Sequence, residues 1–141
     1  MSVRLKGLKE AQKAFQKRVD QLEDYTSKAF TEIILDLTGK SVALAPVDNG
    51  DLRGSGKGEI NGVVIAEGEK NGSIKAKGEA PEAEKLEGIV SFNTPYALRQ
   101  HEELTWNHPQ GGQAKYLEQP FVQNQNKYIK HLADSVKKAV E

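Results

Sequence analysis

His101-Glu102-Glu103-Leu104-Thr105 opens as a zinc-protease helix does, with an imidazole followed at once by a carboxylate able to act as a general base. That chemistry needs a second imidazole one turn along the same face, and Thr105 stands in its place. His108 could complete a ligand set with His101 and Glu102 only if the intervening loop folded back, so a metal-dependent hydrolase built on these three is the remote reading. In the plainer reading, His101 and His108 hydrogen-bond loop backbone or sit on a contact surface. Ser55, between Gly54 and Gly56, lacks the flanking of a nucleophile elbow. The glycines of the middle are followed by no Gly-Lys-Ser/Thr and no long helix, so they make no phosphate loop. Carboxylates such as Glu102, Glu103 and Glu118 are plentiful, but their spacing marks out no acid–base pair. The expectation is a chain with no catalytic residues, no metal and no cofactor.

The elements that would carry these residues follow from proline and glycine. From Leu8 to Leu44 there is no proline and only Gly39 as glycine. Leu8, Ala11, Phe15, Val19, Leu22, Ala29, Ile33, Leu37 and Leu44 recur mostly three or four apart, which predicts one amphipathic helix. Pro46 disfavours helical geometry at Ala45 and should end it there. Asp36 and Thr26 interrupt a strict heptad, favouring a helix that lies on a sheet over a coiled coil.

Nine of the thirteen glycines fall between Gly50 and Gly88, both included. Leu52 to Ile60 alternates with period two, and Asn61-Gly62 and Asn71-Gly72 suit two-residue hairpin turns. An antiparallel meander is expected, with Gly88 to Phe92 as a further strand. Residues 54–80 hold few large apolar side chains, so they are expected to form a projecting, flexible β-hairpin arm, their glycines supplying turns, bulges and flexibility. Thr94-Pro95 reads as a helix start leading through Tyr96 to about Glu103. Trp106 to Gly112 reads as a loop. A last helix begins near Glu118, with Phe121, Tyr128, Ile129, Leu132, Val136 and Val140 as its apolar stripe. The fold class is α+β: long N-terminal and C-terminal helices packed on an antiparallel sheet, in one domain spanning 1–141.

Composition agrees. Leu, Ile, Val and Phe make up 33 of 141 residues, enough for a thin core. Twenty basic and twenty acidic side chains cancel, which gives no support to nonspecific nucleic-acid binding. Zero cysteines exclude disulfides, thiolate metal sites and a cysteine nucleophile. No apolar run approaches a membrane span or a signal peptide, so a soluble protein made in a reducing cytoplasm is expected.

Ala45-Pro46-Val47-Asp48-Asn49-Gly50-Asp51-Leu52-Arg53-Gly54-Ser55 is the most informative stretch. It reads as a helix stop, then an Asx- and Gly-rich turn, then a strand. Asp48 can accept backbone N–H bonds in the turn, Gly50 permits positive φ, and Arg53 can pair with Asp48, Asp51 or a neighbouring chain. The run resembles the Ala-Pro-x-Asp-Thr-Gly-x-Leu-Arg-x-Ser signature of the tail-completion, or head–tail joining, proteins of tailed bacteriophages. The preceding helix, entered through Leu5-Lys6-Gly7-Leu8, and Val90-Ser91-Phe92-Asn93-Thr94-Pro95-Tyr96-Ala97 resemble that family too. Gln100-His101-Glu102 and His108 to Pro120 are similar to a variant from siphophages of Gram-positive hosts.

The resemblance implies a non-enzymatic virion component at the head–tail interface, made in the cytoplasm of the infected bacterium. It would assemble as a homo-oligomeric ring with other connector and tail proteins, binding neither membrane nor specific nucleic-acid sequence. A tail terminator or head-completion protein is the nearest alternative. Asp48, Gly50, Arg53, Tyr96, His101, Glu102, Trp106 and His108 are the candidate turn and assembly contacts.

Overall fold

In a computed structural model, residues 9–47, 50–93, 101–102 and 112–141 are described. Helix α1 runs from Lys9 to Leu44 and ends where Pro46 requires. Gly50 then adopts φ +87°, and a four-residue helical turn, α2 (Asp51–Gly54), follows. Strands β1 (Lys57–Ile60), β2 (Val63–Gly68), β3 (Ile74–Ala76) and β4 (Gly88–Ser91) form one antiparallel sheet in the order β3-β2-β1-β4. Helix α3 spans Glu118–Val140. The α+β class read from the sequence is the observed one.

The period-two reading of Leu52 to Ile60 holds only for its second half. Gly54 N–H donates to Gly50 O at 2.9 Å and Ser55 N–H to Asp51 O at 3.0 Å, so Leu52-Arg53-Gly54 are helical. Asn61 and Gly62 both take positive φ (50° and 80°) between β1 and β2, as a two-residue hairpin turn requires. At Asn71-Gly72 only the glycine is left-handed. Gly72 N–H closes back on Glu69 O, making a wider loop with a bulge rather than the expected two-residue turn.

Residues 54–80 do not project. β1 and β2 are the two interior strands of the sheet, and Ile60 and Ile65 are fully buried against Ile34 of α1. A bulge between Gly58 and Glu59 in the β1–β2 register sets Ile65 apart, so Ile65 and Ala66 are both buried. What makes so few apolar residues sufficient is the glycines. A Cβ on Gly56 would lie 2.6 Å from Val42 Cγ2, and one on Gly88 2.5 Å from Ile34 Cδ1. One on Gly58 would overlap Thr38 Oγ1 and approach Ile34 Cγ2 to 2.7 Å. These glycines let α1 press directly onto the strands, a packing role in place of the expected turns and flexibility.

Two of the buried polar residues on α1, Thr31 and Thr38, are satisfied locally. Thr38 Oγ1 donates to Ile34 O at 2.6 Å, and Thr31 Oγ1 donates to Ser27 O while accepting the Ala80 N–H.

Helix α3 runs antiparallel to α1. Lys40 meets Asn124, Asp36 meets Tyr128, Glu32 meets His131, and Tyr25 meets Lys138. At 100° per residue, Ile34, Thr38 and Val42 facing the sheet and Glu32, Asp36 and Lys40 facing α3 lie on roughly opposite sides of α1. The layers are therefore sheet, α1, α3, and the principal partner of α3 is α1, with Val90 of β4 packed on the Ile33–Leu37–Tyr128 cluster between them.

Candidate functional site

Arg53 faces neither an active site nor solvent alone. Its Nε donates to Ala45 O at 2.8 Å and its Nη2 to Ala43 O at 3.0 Å. These are carbonyls at the end of α1, which a cation stabilises by hydrogen bonding and by opposing the helix dipole. Gln113 N–H adds a bond to Leu44 O at 2.8 Å. Gly72, at φ +95°, leaves room for the guanidinium: a Cβ there would lie 2.6 Å from Nη1. Ser55 Oγ donates to Leu52 O and accepts the Asn93 N–H, tying the segment to the end of β4. The run Ala45–Ser55 thus closes the helix that precedes it. Asp48 lies outside the described residues, as do Tyr96, Trp106 and His108.

His101 and Glu102 sit at the start of α3. Glu118 N–H donates to His101 Nε2 at 3.1 Å, so the ring's proton is on Nδ1, which donates to Glu102 Oε1 at 2.9 Å. The imidazole caps a helix whose preceding residue, Leu117, offers no side-chain cap. Lys115 bridges Glu102 and Glu118, and its hydrogen bond holds the Glu102 carboxyl below the usual carboxylate range, with His101 adding to the effect. Tyr116 packs edge-on between His101 and Phe92, and burial pushes its phenol up to about 12. Both imidazole nitrogens are committed to protein partners. Among the described residues there is no group of three or more metal-ligating side chains.

A polar bridge that sequence reading passes over joins the two long helices. Tyr128 Oη donates to Asp36 Oδ2 at 2.7 Å, and Lys40 Nζ donates to the same oxygen at 2.6 Å. Desolvation pushes the Asp36 carboxyl up, but the bonds from Lys40 and Tyr128 together outweigh it, and the net is a lowered pKa. Asp36 breaks the heptad because it faces this tyrosine. A hydroxyl-bearing aromatic in the last helix was the signal available.

The expected apolar stripe of α3 divides in two. Tyr128 and Leu132 face α1, whereas Phe121, Ile129, Val136 and Val140 remain 41–58% exposed, together with Val122 at 60%. Phe121, Ile129 and Leu132 also form one wall of an apolar groove of about 540 Å³, floored by Phe30 and Ile33 and faced by Val90. Monomeric proteins rarely leave such a contiguous strip open without a partner. Chemically, this surface can hold another protein by burial.

Compared with known proteins, the chain matches no family model, no curated protein and no solved structure. No described helix is long and apolar enough to cross a membrane.

Proposed function

We propose that this chain is a structural protein of the head–tail interface of a tailed bacteriophage, a tail-completion or neck protein that acts by assembly and without catalysis. The observation that carries this reading is the exposed apolar strip Phe121–Val140 on α3, which suits a protein contact surface. The kind of partner comes from the resemblance of Ala45–Ser55 to the family signature. The role of that segment fits a scaffold: Arg53 locks the end of α1, and Ser55 ties the segment to the end of β4. In this reading the chain forms a ring with copies of itself and meets connector and tail proteins. A tail terminator or head-completion protein would use the same surface. The hydrolase reading has the less support, because both nitrogens of His101 are engaged by Glu118 and Glu102. Gold-labelled antibody against the chain should mark the neck of negatively stained virions. Label on capsid or tail tip, or none on particles, would contradict the proposal.

A further inference from the structure

The two edges of the sheet are guarded differently. At one edge, β3 is three residues long with Lys75 at its centre, a charge of the kind that discourages strand addition. At the other, β4 reads Gly88-Ile89-Val90-Ser91, with no charge and no proline. Asn61 N–H donates to Glu87 O, and Asn93 N–H donates to Ser55 Oγ. With Glu59 opposite Ile89, this turns the backbone groups of Glu87, Ile89 and Ser91 toward β1. Those of Gly88 and Val90 alternate with them and point away from the sheet. Among the described residues no strand pairs with that edge.

The open edge borders the apolar groove. Gly88 and Val90 line one side, Phe121, Ile129 and Leu132 the other, with Phe30 and Ile33 between. Both β4 positions face α1: a Cβ on Gly88 would lie 2.5 Å from Ile34 Cδ1, and Val90 packs on the Ile33–Leu37–Tyr128 cluster. In an antiparallel addition, the residues opposite Gly88 and Val90 share that face. The same residues would therefore pair with the edge and place their side chains in the groove. Around α3, the first charges beyond the exposed Val122 and Val140 are Lys137 and Lys130, at about 100° per residue. Both are exposed, and neither has an acidic partner among the described residues. Glu118, which also lines the groove, is paired with Lys115.

We propose that the groove beside β4 takes an extended segment of a different protein, added antiparallel along Gly88 and Val90. The segment carries apolar residues at alternate positions and acidic residues flanking them. Backbone pairing sets its conformation, the groove selects its alternate apolar side chains, and Lys130 and Lys137 select its charge. A second copy of this chain fits less well, because the edge strand it offers, β3, brings Lys75 toward that lysine rim. A helix seated in the groove would leave the outward groups of Gly88 and Val90 without partners. The proposal rests on the contact-surface reading above and names the chemistry of the partner.

The probe is a short capped peptide, with valines at alternate positions between threonines and glutamates at both ends. It is titrated into the full chain while amide hydrogen exchange is followed by NMR. Without peptide, the Val90 N–H should exchange faster than those of Ile89 and Ser91. Saturating peptide should slow exchange at Gly88 and Val90 by about tenfold or more. N-methylation of the peptide valines removes the donors facing the edge and should weaken binding by about tenfold or more. Lysine in place of the peptide glutamates should weaken it by about threefold or more. Ile129→Asp, at an exposed position, should do the same, with circular dichroism confirming that the variant is folded. No saturable binding, binding without protection at Gly88 and Val90, or equal affinity for the N-methylated or lysine peptide would overturn the proposal. So would protection of Val90 that rises with chain concentration alone, since the occupant would then be another copy. Neck labelling of virions does not depend on these results, so the groove and the function are judged separately.

Discussion

Arg53 donates to the carbonyl of Ala45 over 2.8 Å, so a side chain eight residues downstream closes the helix that precedes it. Removing a charged donor from these carbonyls should cost about 1.5–3 kcal/mol. Arg53→Ala is therefore expected to lower the denaturation midpoint clearly. Arg53→Lys should recover only part, because one ammonium cannot reproduce the fork that spans Ala45 and Ala43. A lysine variant as stable as the parent would show that charge alone suffices.

Gly58→Ala should destabilise by about 1–3 kcal/mol, since the added methyl overlaps Thr38 and crowds Ile34. Gly62 lies in open space, so Gly62→Asn, which keeps a residue tolerant of positive φ, should cost much less. Thermal melts of the two variants side by side make the comparison. Equal costs would mean that the helix does not rest on β1.

Tyr128→Phe leaves Asp36 with Lys40 alone and is expected to cost about 1 kcal/mol near neutral pH. The folded pKa of Asp36 is depressed, so its contribution is present above the unfolded carboxylate pKa and is lost as pH falls through the folded value. Acid titrations of stability should therefore be shallower in Asp36→Asn below the ordinary carboxylate range. Identical acid limbs in parent and variant would refute the bridge.

At the alkaline end the sign reverses. The Tyr116 phenol is raised to about 12 by desolvation, so its contribution is complete below the ordinary value near 10 and is lost as pH climbs toward 12. Tyr116→Phe should flatten that limb, and ultraviolet titration should show two phenols, Tyr116 and Tyr128, ionising later than an ordinary tyrosine. Phenols that all titrate normally in the folded protein would be inconsistent with the packing of Phe92, Tyr116 and His101.

The helices are legible in the sequence because their signals are local: a proline-free run to Leu44, the stop at Pro46, and Pro120 in the first turn of α3. Asn61-Gly62 is legible for the same reason. The glycines of the middle are not, because their purpose lies across the fold. Gly56, Gly58 and Gly88 are defined by Val42, Thr38 and Ile34, and a glycine that seats a helix has the same letter as one that loosens a loop. The site shows the same division. Positive φ at Gly50 is readable from the turn, whereas the reach of Arg53 back to Ala45 appears only once α2 curls the chain around. The α3 stripe has helical period on both its buried and its exposed faces, and period cannot say which face is covered.

In vitro complementation tests the proposed joining of heads to tails. A phage deprived of this chain should accumulate DNA-filled heads and finished tails that remain apart. Adding the purified protein to that lysate should yield joined, infectious particles, counted by plaque titre. Joined particles forming without the chain, or heads and tails still separate after folded protein is added, would contradict the account.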